Sequence, residues 1–301
     1  MKIKHVISDD CIILENLNPD DFNIKDTFEC GQCFRWEKTD RQDGYLGIAH
    51  GKKLIVQQNE DYITLHCNEK DFLHIWQYYF DLDTDYDEIK ERLRKDDIMN
   101  KAICSAPGIR ILNQELFETA VSFITSSNSN IKRITRNIKD LCALLGQPIG
   151  DGYYAFPTVE ALSNADICTI NQCRAGFRCD YIHSSANMIK NMSDSFDKTR
   201  YINLGYEETK KELMRLKGVG NKVADCIILF AGISSSAFPT DVWVKRIMQN
   251  LYIKKEVTLD YISKYGRDKF GDLAGYAQQY LFHYARNIAV HKLLYHILKE
   301  Y

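Results

Sequence analysis

The sequence predicts an α+β fold, a small antiparallel β-sheet subdomain at the N-terminus packed on a mostly α-helical body. Three observations predict it. The first 68 residues break into short apolar or alternating runs separated by turn signals. From Glu69 onward the apolar spacing changes from two to three and four, the period of a helix. Late in the chain, two helix-compatible runs meet at Gly218-Val219-Gly220 with nothing longer between them.

Taken in order, the runs at 11–14, 31–36, 45–48, 53–56 and 62–65 read as strands, and Gln42-Asp43-Gly44 and His50-Gly51 as turns between them. Short strands at this spacing suggest an antiparallel meander. Phe72, Ile75, Trp76, Tyr79 and Phe80 then share one helical face, as do Ile89, Leu93 and Ile98. After Ala106-Pro107-Gly108 the pattern is almost wholly helical, with apolar runs over 116–124 and 131–145, the second closed by Gly146-Gln147-Pro148. Thr158 is placed to cap the next helix. Further helices are expected over 181–192, 207–216, 222–231, 241–252 and 272–299. The division this implies is 1–106 for the β subdomain with its helices and 107–301 for the helical domain.

Composition bounds the function. The chain of 301 residues is 45% hydrophobic and 27% charged, ordinary for a globular protein. No apolar run approaches the roughly 18–20 residues of a membrane span, and MKIKHVISDD lacks a signal-peptide core. The expected location is the cytoplasm, on the nucleoid if the source is bacterial. The ten cysteines are scattered and read as reduced thiols. Cys30 and Cys33 have metal-ligand spacing but no second pair to complete a site. The net charge of −2 hides an asymmetry, since residues 1–103 carry −8 and residues 211–301 carry +6. The basic excess falls around the double-glycine turn, where a phosphate partner would bind.

That turn carries the chemistry. Glycine reaches left-handed backbone angles without steric cost, and a tight turn into a helix N-terminus directs backbone N–H groups outward, a phosphate site without sequence preference. Lys217, Gly218, Val219, Gly220 and Lys245 are the expected phosphate contacts. Lys222 follows in the first turn of the second helix, where the helix dipole disfavours the ammonium. Nineteen residues on, Pro239-Thr240-Asp241 places a carboxylate at another loop-to-helix junction. An amine favoured in its neutral form together with a placed carboxylate suits a nucleophile that forms a Schiff base. The plainer readings are a lysine paired with Asp225 three residues on and an aspartate that only caps its helix.

The segment LKGVGNKVADC followed by PTDVWVKR resembles the helix-hairpin-helix, Gly/Pro-Asp superfamily of DNA glycosylases, and Lys222 with Asp241 resembles its bifunctional branch. Three further segments resemble the 8-oxoguanine DNA glycosylase/AP lyases of that superfamily: Glu29-Cys-Gly-Gln-Cys-Phe-Arg-Trp36, Ser122-Phe-Ile-Thr-Ser-Ser-Asn-Ser-Asn-Ile-Lys-Arg-Ile134 and Gly271-Asp-Leu-Ala-Gly-Tyr-Ala-Gln-Gln-Tyr-Leu-Phe282. The resemblance implies a TATA-binding-protein-like N-terminal sheet on a helix-hairpin-helix body. The activity it implies is excision of 8-oxoguanine from duplex DNA, opposite cytosine, through a lysine Schiff base followed by β-elimination, in base excision repair.

It also implies the roles. Lys222 attacks C1′ and Asp241 stabilises the oxocarbenium-like sugar. Gly31, Cys226, Pro239, Gln278 and Phe282 line the base pocket. Asn128, Arg133 and Arg178 hold the estranged cytosine, and Phe177 is the wedge. No metal or organic cofactor is expected, nor an iron–sulfur cluster of the endonuclease III type, because no cysteine follows Cys226. The hairpin leaves room for a structural cation. The expected partner is double-stranded DNA bearing the lesion, bound by a monomer. Departures from the family pattern are Lys217 before the hairpin in place of proline, Trp243 in place of a phosphate-binding histidine, Cys30 and Cys33 in place of serines, and Ser129 within an asparagine run. A glycosylase for another oxidised base and a non-catalytic DNA-binding module are the alternative readings.

Overall fold

The computed structural model describes residues 3–8, 10–15, 17–40 and 44–299, with side chains described through residue 287. Six strands, β1 (Lys4–Ser8), β2 (Cys11–Glu15), β3 (Trp36–Lys38), β4 (Gly44–Ala49), β5 (Lys52–Gln58) and β6 (Tyr62–Leu65), form one antiparallel sheet in the order β1-β2-β6-β5-β4-β3. The expected meander holds from β3 to β6. The β1–β2 hairpin then joins it through β2 and β6, pairing Leu14 with Ile63 and Ile12 with Leu65. Ile12, Leu14, Leu54, Val56, Ile63 and Leu65 all point to one fully buried face, as a period of two requires. That face packs on Phe28, Trp36, Phe72, Trp76 and Phe80, with Phe28 and Trp36 stacked at 4.0 Å and 4°.

One strand expectation fails. Residues 31–35 are not a strand, and β3 begins only at Trp36. Gly31 sits at φ +84°, outside the extended region, and the following Gln32 turns its side chain inward to replace ladder bonds. Strand β1 and the helix Ile24–Glu29 were not anticipated, because neither shows a clean apolar period. Of the expected turns, His50-Gly51 is a two-residue hairpin with both φ angles positive, while the turn at 42–44 falls mostly outside the described residues.

The helices follow expectation more closely. Ile131–Leu145 and Leu116–Ser126 appear as read, and Thr158 caps Val159–Asn164 through a bond from Ala161 N. The run after Glu69 is helical with a π-turn over Phe72–Trp76, and the one after Asp241 has another over Met248–Ile253. Lys198–Leu204 and Leu259–Phe270 are additional, as is a small hairpin of β7 (Pro148–Gly150) and β8 (Tyr153–Tyr154). The helices Tyr86–Leu93 and Asp97–Ser105 share a core with Val244, Met248, Ala277 and Leu281 from the C-terminal part of the chain. Arg110 joins the layers. Its buried guanidinium donates to the carbonyls of Phe80, Asp21, Asp81 and Thr84 and lies 4.0 Å over the Tyr86 ring.

Candidate active site

The helix Tyr206–Leu213 ends at Met214, and the chain turns through Leu216–Gly220 into the helix Asn221–Phe230. Gly218 takes φ +85°, and a Cβ there would lie 2.5 Å from the Tyr181 ring, so both backbone and packing require glycine. Gly220 differs from expectation. Its φ of −98° suits any residue and a Cβ would meet nothing within 4 Å. The open space faces outward, where a partner's backbone can approach, and no side chain caps the first-turn N–H groups. Val219 is buried in the helical core and anchors the turn. Lys217 is exposed, and its carbonyl accepts a bond from Ser185 Oγ at 3.0 Å. Lys245 is half-buried, its ammonium 3.8 Å from the exposed Glu256.

The helix Asn221–Phe230 is apolar nearly all round, as a central helix must be. Its one buried charge is Asp225, 1% exposed, held by Tyr206 Oη at 2.6 Å, Lys210 Nζ at 2.9 Å and Ser263 Oγ at 3.1 Å. With its carboxylate so engaged, Asp225 is no partner for Lys222. The Lys222 ammonium lies 5.2 Å over the ring of Phe123, which stacks on Phe230 at 5.3 Å. Beside it is the buried Cys226 thiol. Burial pushes this thiol up to about 11; the nearby Lys222 ammonium pulls against that, and the Asp225 and, less, the Asp241 carboxylates add to it.

Asp241 caps the helix Val242–Ile247, with Oδ1 accepting from Trp243 N and Val244 N at 2.9 Å each. The cap uses one carboxylate oxygen and leaves Oδ2 without a donor among the described residues. Pro239 and Thr240 before it are buried, which fixes where the carboxylate starts.

Of the residues expected to line a base pocket, Gly31 and Phe282 are brought together from opposite ends of the chain. Gly31 comes from the N-terminal loop, and a Cβ on it would lie 3.5 Å from the Phe282 ring and 3.3 Å from Ile131 Cδ1. Gln278 and Phe282 come from the C-terminal helix Ala274–Lys299. Gln278 is 4% exposed and its Oε1 is buried with no hydrogen-bond partner among the described residues. Such an orphan costs about 1–3 kcal/mol until something donates to it. Arg286 borders the same place, 5.4 Å over the Phe282 ring.

The expected wedge and estranged-base residues lie on two adjacent loops and in the first turns of the helices that follow them, Arg133 in Ile131–Leu145 and Arg178 in Arg178–Lys190. Phe177, before the helix Arg178–Lys190, is 53% exposed and rests edge-on against Tyr181 at 5.5 Å. Arg178 is buried, donating from Nε to Ser127 O (2.6 Å), from Nη2 to Asn128 O (2.7 Å) and from Nη1 to Ala175 O (3.0 Å). It thus brackets the two loops together, using three of the guanidinium's five N–H donors. Asn128 is exposed at φ +50°, the conformation this bracket holds. Arg133 is exposed, and its charge together with burial lowers the Arg178 pKa. Tyr181 touches both Phe177 and the Gly218 position, so wedge loop and hairpin adjoin.

Cys30 and Cys33 are buried free thiols, donating to Thr27 O and Phe28 O. Sequence reasoning missed Phe123 beneath the lysine and Ile131 beside Gly31. Both look like plain core residues in a linear reading.

Comparison with known proteins gives the family. The 8-oxoguanine DNA glycosylase N-terminal domain family matches residues 15–120, and the HhH-GPD superfamily of base excision DNA repair proteins matches residues 121–270. The N-glycosylase/DNA lyase of Saccharomyces cerevisiae is 31% identical, over 88% of this chain and 84% of that one. A probable N-glycosylase/DNA lyase of Methanothermobacter thermautotrophicus is 30% identical, over 88% and 94%. The Clostridium acetobutylicum 8-oxoguanine glycosylase/lyase, solved with double-stranded DNA containing cytosine opposite 8-oxoguanine, superposes with a TM-score of 0.89 at 40% identity, covering 96% of this chain and 100% of that one. The chain therefore belongs to the 8-oxoguanine DNA glycosylase family, within the helix-hairpin-helix, Gly/Pro-Asp superfamily of base excision repair proteins.

Proposed function

We infer that this protein is a bifunctional DNA glycosylase/AP lyase that excises 8-oxoguanine from duplex DNA. The observation that carries the reading is Lys222, an amine with no carboxylate partner among the described residues, set 5.2 Å over the ring of Phe123 in the first turn of the helix that follows the hairpin. A lysine kept for solvation would pair with Asp225, and that carboxylate is engaged elsewhere.

The chemistry follows from these groups. The duplex binds through its phosphates at the hairpin and bends, the lesion rotates out of the stack, and Phe177 fills the gap. Asn128, on the loop that Arg178 holds, and Arg133, in the first turn of the helix Ile131–Leu145, face the widowed cytosine. In the pocket the Gly31 carbonyl accepts from N7–H, a donor that 8-oxoguanine has and guanine lacks, while Gln278 bonds the base edge and Phe282 stacks on the ring. The neutral Lys222 amine attacks C1′, the N-glycosidic bond breaks, and the base departs with the electron pair. Asp241 stabilises the positive charge that develops on the sugar. One nitrogen proton passes to the departed base and the other to the ring oxygen as the C1′–O4′ bond breaks, which gives an imine between Nζ and C1′. Removal of a 2′-proton then expels the 3′-phosphate by β-elimination, and water hydrolyses the imine. The lysine supplies the nucleophile, so no metal or organic cofactor enters a step.

Borohydride trapping tests this on a duplex with one 8-oxoguanine opposite cytosine. A covalent adduct should form on the damaged duplex only and vanish in Lys222→Gln, with binding retained. Wild-type-like turnover by Lys222→Gln would overturn the mechanism. Trapping on a different oxidised base but not on 8-oxoguanine would overturn the substrate.

A further inference from the structure

The residues on either side of Gly31 are fastened to different parts of the molecule. On one side, Gln32 is fully buried. Its Nε2 donates to Thr27 O at 2.9 Å and Arg110 O at 2.8 Å, and its Oε1 accepts from Leu112 N at 2.9 Å. Its backbone carbonyl accepts from Gln114 Nε2 at 2.8 Å. This side of the loop is bolted to the segment entering the helical body.

On the other side, the fastening comes from the pocket helix. Gln279 is buried, and its Nε2 donates to Cys30 O at 3.3 Å. The Cys30 thiol beside it is fully buried and donates to Thr27 O at 3.1 Å. Gln279 directly follows Gln278, whose Oε1 awaits a partner, and precedes Phe282 by less than one turn. The Gln279 amide therefore references the carbonyl preceding Gly31 to the two pocket side chains, beside a longer bond from Arg286 Nη1 on the same helix to Glu29 O at 3.5 Å. The Gly31 carbonyl itself accepts no hydrogen bond among the described residues.

We propose that Gln279 is a positioning residue for lesion recognition, fixing the separation between the Gly31 peptide and the Gln278–Phe282 face of the C-terminal helix. The proposal rests on the reading of this site as an 8-oxoguanine pocket. Discrimination there depends on one donor–acceptor contact, the lesion's N7–H to the Gly31 carbonyl. Guanine presents an acceptor at the same place, so a loop held rigidly repels it. A loop free to retreat would lose the attractive contact with the lesion and relax the repulsion towards guanine. Recognition of this kind requires placement to about 0.5 Å, and Gln279 is the one side-chain link from the pocket helix to the Cys30 carbonyl among the described residues. Abasic DNA has no base to recognise, so lyase action on it depends on Lys222 and Asp241 but not on this distance.

The test is Gln279→Met, which keeps chain length and burial but removes the donor. Single-turnover excision of 8-oxoguanine, cleavage of a preformed abasic site in the same duplex, cleavage at an undamaged guanine, and the melting temperature are measured together. Excision of 8-oxoguanine should fall about tenfold, the range expected for sub-ångström misplacement of a reacting group. Abasic cleavage should stay within about twofold, so that the ratio of 8-oxoguanine to guanine excision narrows. Equal losses on lesion and abasic site would reduce Gln279 to a structural part and overturn the proposal, as would unchanged excision. Gln279→Leu is read in the same way where Gln279→Met does not fold. A wild-type enzyme that cleaves abasic DNA but ignores 8-oxoguanine would instead overturn the substrate reading, and the proposal with it.

Discussion

A pair of substitutions can separate the cap that Asp241 makes from the catalytic role proposed for it. Both capping bonds, from Trp243 N and Val244 N at 2.9 Å, end on Oδ1. Asparagine offers an oxygen at the same place and caps about as well as aspartate, so Asp241→Asn should change stability by no more than about 0.5 kcal/mol. Asp241→Ala leaves both N–H groups without their acceptor and should cost about 1–2 kcal/mol. In a chain of this size that lowers the melting temperature by roughly 2–6 °C. Catalysis should respond differently. The asparagine carries no charge to set against the oxocarbenium-like sugar, and losing one preorganised electrostatic group typically costs about 10²–10³ in rate. Thermal denaturation and single-turnover excision on the same preparations give both numbers. An Asn variant that melts like Ala would refute the capping geometry. One that excises at near wild-type rate would refute the electrostatic role.

Three further expectations follow from the site and its supports. Gly218→Ala should destabilise by about 1–3 kcal/mol, because φ is +85° and Tyr181 lies in the way, whereas Gly220→Ala should leave stability within about 0.5 kcal/mol and still weaken duplex binding, read by thermal melting and fluorescence anisotropy. Lys210→Met strands the Asp225 carboxylate in the core and should cost about 3–5 kcal/mol in a urea titration; a loss below about 1 kcal/mol would mean that Tyr206 and Ser263 alone satisfy it. Glu118 is pushed up by burial, against the pull of Arg35, from 4.5 to about 7. The folded protein therefore holds a proton that the unfolded chain releases, so this contribution is full below about pH 4.5 and is lost as pH rises through 7. Glu118→Gln should flatten that part of the stability profile, and an unchanged slope would place the effect elsewhere.

Much of the site was legible because its signals are local. The hairpin reads from glycine, the lysine from its place after it, and Asp241 from a proline-led turn into a helix. Each signal spans a few residues and acts through backbone geometry that neighbours in sequence determine. The helices Leu116–Ser126 and Ile131–Leu145 were legible for the same reason, a sustained apolar period. Where local signals conflicted, the reading failed. The stretch 31–35 alternates like a strand, yet Gly31 turns left-handed and the Gln32 amide takes over the bonds a ladder would make. Gly220 was read as conformational, and its backbone shows that any residue would fit.

The sequence by itself determined the order of sheet and helices and the hairpin, and it marked Lys222 and Asp241 as the candidates for nucleophile and carboxylate, since periodicity and turn chemistry are written in neighbouring residues. Tertiary structure alone decided which carboxylate Lys222 does without, because Asp225 is turned inward to residues 15 and 38 positions away along the chain. It also decided that Arg178 brackets two loops and that Gly31 meets Phe282 across some 250 residues, with Gln279 tying the two segments. Contacts of that range depend on how whole layers pack, and no local pattern encodes the distance between them.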